Sequence, residues 1–131
     1  MYTIRDNEKI GMLFTMQGIG DHIMFNGMAR RLLIEHSLTK IYVVALSEYL
    51  HIVSFMYRDD TRIQVLSIDS GDEHIGVADH LQAIVPDTVY ILGHEIRQGV
   101  PGYCFDKFLH PKTQKYQVSW DELSKTTIYG N

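Results

Sequence analysis

The sequence predicts an α/β fold: a Rossmann-like, doubly wound, mostly parallel sheet of at least four strands with helices on both faces. Two observations predict it. Short, continuously apolar runs recur along the chain, and the runs are separated by turns and helix-length segments. A strand that is apolar at every residue has no solvent face, so helices must cover it from both sides, and right-handed crossovers then wind the layers.

The elements follow in order. "IGMLF" (10–14) reads as a fully buried first strand. Residues 22–36 carry Ile23, Phe25, Met28, Ala29, Leu32 and Leu33 at helical recurrence, so one helix is expected there. "IYVVAL" (41–46) is short and β-branched, a second strand. From Ser47 to Tyr57 the spacing of Leu50, Val53, Met56 and Tyr57 is helical, with Ser47 as a cap and Glu48 at the positive end of the helix. "IQVLSI" (63–68) is a third strand, "DSGD" a turn, residues 73–84 a short helix and "TVYIL" (88–92) a fourth strand. The tail differs. Residues 97–131 mix aromatics with charges around Pro111, which predicts an irregular or helical extension on a single domain spanning 1–131, anchored by Tyr103, Phe105, Phe108 and Trp120.

Composition narrows the function classes. The 131 residues are 45% hydrophobic and 21% charged, with a formal net charge of −4 and no cluster of lysine or arginine. A nucleic-acid partner is not expected, because phosphate neutralisation dominates such binding. No apolar run approaches the ~20 residues of a membrane helix, and the charged start "MYTIRDNEK" is unlike a signal peptide. Cys104 is the single cysteine, which fits a reducing compartment, so a cytoplasmic protein is expected.

The turn after the first strand, Gly18-Ile19-Gly20-Asp21, carries the functional question. A P-loop requires Lys followed by Ser or Thr after its glycines, and Asp21-His22 stand there instead. A dinucleotide fingerprint requires a third glycine where this chain has Ile23, and an aspartate at the helix start opposes a pyrophosphate. Two readings remain. Asp21 is a good helix cap. It also follows the carboxyl end of a strand, where open α/β sheets gather ligands, and a carboxylate there serves as a general base. His22, Asn26 and Arg30 continue from it at i, i+4, i+8 along one stripe, with His22 nearest the turn and Arg30 on a solvated face.

Other candidates are fewer. "FMYRDD" (55–60) sets Arg58, Asp59 and Asp60 after a helix, with Arg58 suited to an anionic group. Gly93-His94-Glu95 follows the fourth strand at the ligand-bearing edge, so His94 and Glu95 are candidate contacts. The seven histidines are scattered without metal-ligand spacing, so no metal is expected. Cys104, between aromatics, reads as a small buried hydrophobe.

"GIGDHIMFNGMARRL" (18–32) and "SFMYRDDTRIQVLSI" (54–68) together resemble the amino-terminal half of GT-B glycosyltransferases, especially the heptosyltransferase-like group, and "CFDKF" with the later Trp120 extends the likeness loosely into the tail. The resemblance implies that this half holds a sugar or glycan acceptor. The aspartate of the Gly-Asp pair, Asp21, then takes the proton from the acceptor hydroxyl as it attacks the anomeric carbon. Gly18, Gly20, His22, Asn26, Arg58, His94 and Glu95, read from their places in the sequence, are the expected acceptor or cleft contacts, and the resemblance further implies chemistry without a metal or other cofactor and a donor-binding half outside these residues. A cleft wall shaped against a second half implies self-association or a donor-domain partner. The alternative is a binding or interaction module that keeps the half-fold without catalysis.

Overall fold

The computed structural model describes residues 8–14, 18–92, 108–119, 121, 122 and 125. The four expected strands form: β1 (Ile10–Phe14), β2 (Lys40–Leu46), β3 (Ile63–Ile68) and β4 (Thr88–Leu92). A fifth, β5 (Gln114–Val118), lies where the sequence suggests an irregular helix. All five are parallel, in the order β3-β2-β1-β4-β5, the doubly wound arrangement expected. β5 escapes the apolar-run criterion because it is an edge strand. Only Val118 is buried, and the polar Gln114, Lys115 and Gln117 face solvent. Tyr103, Cys104, Phe105 and Trp120 lie outside the described residues; Phe108 packs, partly buried, against the core.

The helices divide between the faces. α1 (Ile19–Met24), α2 (Asn26–Glu35) and α3 (Leu50–Met56) cover one face, where Phe25, Met28, Leu32 and Val53 pack on Leu13, Val43 and Tyr90. α4 (Glu73–Ile84) covers the other, placing Val77 and Leu81 against Met12, Phe14, Val44 and Ile91. Each such side chain, fully buried, contributes about 1.5–3 kcal/mol of transfer free energy. Two glycines set the layer spacing. A Cβ at Gly11 would stand 2.8 Å from the Tyr90 ring and 2.9 Å from Leu38, and one at Gly76 would stand 2.7 Å from the Ile68 side chain, so α4 meets β3 nearly backbone to backbone.

Two expected helices are subdivided. The helix expected over 22–36 begins at Ile19 and breaks at Phe25, where Asn26 Nδ2 donates to Ile23 O (3.1 Å). Asn26 and Gly27 are weak helix formers, and the buried Phe25 holds the bend. Ser47–Tyr49 is a 3-10 turn without a side-chain cap, so Ser47 is not the cap of α3. No helix among the described residues is long and apolar enough to cross a membrane.

Candidate functional site

The strand order creates one special position. The chain steps from β1 outward to β2 and β3, then returns to lay β4 on the other side of β1. In sheets of this order the position beyond the carboxyl ends of the two strands flanking the reversal, here β1 and β4, is where a ligand crevice usually forms. β1 ends at Phe14, and the Gly18–Asp21 turn follows it, at this position.

Asp21 is not the helix cap. Gly18 is, with extended backbone (φ −79°, ψ 148°), its carbonyl accepting from Asp21 N (3.2 Å) and His22 N (3.4 Å). No side chain caps α1. Asp21 is the third residue of the helix, its carboxylate folded back so that Oδ2 would lie 3.2 Å from a Cβ on Gly18. The carboxylate is half-buried, sits in the first turn of the helix, and forms no ion pair among the described residues. A Cβ on Gly20 would meet nothing within 4 Å, so this side of the turn is open to an incoming group.

The rest of the expected constellation is dispersed. His22 is 1% exposed, turned into the protein rather than toward the crevice. Burial lowers its pKa, and the Asp21 carboxylate opposes that shift only in part. Asn26 is occupied at the helix break, and Arg30 forms a bidentate pair with Asp59 (2.9 and 3.0 Å) while donating to Met56 O (3.1 Å). The break at Phe25 ends the continuous stripe. Arg58 belongs to the opposite end of the sheet. It lies between α3 and the start of β3, its guanidinium 3.8 Å from the Phe55 ring centroid and donating to Phe55 O (2.8 Å). His94 and Glu95 lie outside the described residues.

Residues that directly follow the other strands also reach the carboxyl edge. Ser70 Oγ, after β3, donates to Glu48 Oε1, after β2, at 2.9 Å. After β5, Ser119 and Glu122 form a reciprocal capping box: Glu122 N donates to Ser119 Oγ (3.2 Å) and Ser119 N to Glu122 Oε1 (3.3 Å). Tyr116 Oη donates to the same carboxylate at 3.1 Å. The signal for these residues was their position immediately after a strand. Among the described residues, no group of three or more His, Cys, Asp or Glu is placed to hold a metal. A cleft of about 570 Å³ at the amino edge is lined by Lys9, Asp87, Thr88 and Lys112, at the far end of the strands from Asp21.

The site thus offers a half-buried aspartate in the first turn of the helix that follows β1, relieved of capping. It can accept a proton or a hydrogen bond from a bound hydroxyl or amine. No protein-family model matches the chain, and no curated protein matches its sequence.

Proposed function

We propose that the chain is the acceptor-side half of a glycosyltransferase of the GT-B kind, and that Asp21 is its general base. One observation supports this over a purely structural turn: the helix is capped by Gly18, so the Asp21 carboxylate is available at the switch point. In the reaction, an acceptor hydroxyl oxygen bonds to the anomeric carbon of a nucleotide-sugar as the bond to the leaving diphosphate breaks. Asp21 takes the hydroxyl proton, which raises the nucleophilicity of a poor nucleophile during attack. The diphosphate is stabilised on a second wall of the cleft, supplied by a donor-binding half outside this sheet.

The test is sugar transfer by the chain joined to, or mixed with, a donor-binding half. Asp21→Asn should lower turnover by ~10²–10⁴-fold, because an amide cannot take the proton. In parallel, NMR titration of the chain with neutral mono- and oligosaccharides should shift the amides of residues 18–22. Full turnover by the Asn variant overturns the base assignment. A turn that responds to no sugar overturns the acceptor reading and leaves the half-fold as an interaction module.

A further inference from the structure

Among the described residues two that are not glycine hold a left-handed backbone, and both follow a helix: Ser37 (φ 53°) after α2, and Val85 (φ 49°, ψ 71°) after α4. Ser37 has a regular setting. Ser37 N donates to Ile34 O (3.3 Å) and Leu38 N to Leu33 O (3.0 Å), the paired bonds of a Schellman ending.

Val85 has none of that support. A β-branched side chain is crowded in the left-handed region, which glycine or asparagine normally fills at a helix end. Pro86 follows, and its ring pushes the preceding residue toward extended backbone. Proline also lacks an N–H, so the longer Schellman bond cannot form, and Val85 N closes α4 on Leu81 O (3.1 Å).

Two bodies hold the joint in this conformation. Downstream, Thr113 Oγ1 donates to Pro86 O (2.6 Å) and Asp87 N to Ile10 O (2.8 Å), while Asp87 O accepts from Gln114 N (2.9 Å). These bonds pin the start of β4 between β1 and β5. Upstream, Val77 and Leu81 are buried, Gly76 lets α4 press on Ile68, and His80 Nε2 lies 2.8 Å from Ser67 O. The two anchorages are unequal. β4 is buried at all five residues and is paired on both sides, whereas α4 buries two of its twelve residues and has no side-chain cap at its amino end. Strain shared by two anchored bodies is relieved when the weaker one lets go, and elements with few buried contacts open first.

We propose that Val85–Pro86 is a strained hinge that lets α4 lift from β3 as a unit while the sheet stays folded, with Val85 relaxing to extended backbone as it opens. Lifting uncovers Met12, Phe14, Val44 and Ile91 on that face and frees the Ser67 carbonyl at the sheet edge. Native-state hydrogen exchange on the full chain, at several low urea concentrations, is the test. In the wild type the mid-helix amides of Val77 and Leu81 should exchange at least about tenfold faster than those of Met12 and Tyr90, each relative to its unfolded rate, and with a weaker urea dependence. Val85→Gly fits the left-handed backbone without strain and should slow the Val77 and Leu81 amides about three- to thirtyfold. Met12 and Tyr90 should slow by the same factor, because global unfolding relaxes the joint as well. If Val85→Gly fails to fold by circular dichroism, Val85→Asn, which also tolerates this backbone, decides. Val77 and Leu81 amides as protected as those of Met12 and Tyr90 in the wild type overturn the proposal, because α4 then has no opening of its own. A substitution that slows neither pair overturns it too, since no strain was stored. So does one that slows only Met12 and Tyr90, because the joint then stays left-handed when the helix opens.

Discussion

The two ends of the sheet use their carboxylates differently. At the amino end three aspartates are committed. Asp59 is held by Arg30, Asp60 by Arg62 at 2.7 Å, and Asp87 joins three strands: Oδ2 accepts from Ile10 N (2.8 Å), Oδ1 from Lys112 Nζ (3.3 Å), and its carbonyl from Gln114 N (2.9 Å). At the carboxyl end Glu122 is held by Ser119 and Tyr116, but Asp21 has no ion-pair partner among the described residues, Asp69 is exposed, and Glu48 receives the Ser70 hydroxyl. A committed carboxylate returns its desolvation cost as stability. An uncommitted one at a crevice is useful only to a ligand. The amino end is therefore where substitution should cost stability, and the carboxyl end where it should cost function.

The largest effect should separate the two ends cleanly. On the proposed transferase reading, Asp21→Asn should remove ~10²–10⁴-fold of transfer by the chain joined to a donor-binding half. Its stability should change by no more than about 0.3–1 kcal/mol, the value of a carboxylate in a helix's first turn, because Gly18 does the capping. Asp21→Ala should be equally mild in urea denaturation. If Ala instead costs far more stability than Asn, the carboxylate is serving the fold and the contrast between the ends fails.

Asp87→Ala should do the reverse. The half-buried Ile10 N loses its acceptor, and Lys112 its partner, which costs about 1–3 kcal/mol in a urea titration. Transfer per folded molecule should be unchanged. A fall in specific activity equal to that of Asp21→Asn would show that the amino end is not merely structural.

These contrasts bear on what the sequence revealed. β1, β2 and β4 were legible because central strands covered on both faces are largely apolar, and β3, though at an edge, because it keeps Ile63, Val65, Leu66 and Ile68. β5 was not, since an edge strand with one buried residue has no such requirement. The helix after β1 was expected from residue 22 with Asp21 as a cap, but it begins at Ile19, three residues earlier, with Gly18 as the cap. Gly18 caps through backbone geometry alone, which leaves no side-chain signature. Arg58 reads as a contact for an anionic group from its charge after a helix, although strand–helix alternation already sends any residue between a helix and the next strand to the amino end. His22 reads as polar beside a polar turn; only the packing of α1 on the sheet reveals its burial.

That burial gives the next effect. The folded-state pKa of His22 is lowered from about 6.5, chiefly by burial. Above that pH both folded and unfolded chains hold the ring neutral, and the full stability is present. As pH falls below it, the unfolded chain takes up the proton while the folded chain resists, so stability declines until the folded pKa is passed. Melting temperature should therefore drop between about pH 7 and pH 5. His22→Phe should flatten that part of the profile. An unchanged slope in the variant would assign the acid sensitivity to another group.

The smallest effect belongs to the amino end. The hydrogen bonds and charge of Arg62 hold the Asp60 carboxyl down to about 2, below the ordinary value near 3.9. A depressed carboxyl contributes stability that is present above its unfolded value and lost as pH falls through the folded one. The window is therefore between about pH 4 and pH 2. Arg62 is 52% exposed in its side chain, so solvent screens the pair and its contribution at neutral pH is small. Asp60→Asn should lower the urea midpoint by that small amount at pH 7 and by much less at pH 2, because the wild type has by then lost most of the same interaction. It should also weaken with added salt. A penalty that persists at pH 2 would trace instead to the Asp60 oxygen that accepts from Arg62 N (3.0 Å), a turn bond that asparagine supports less well.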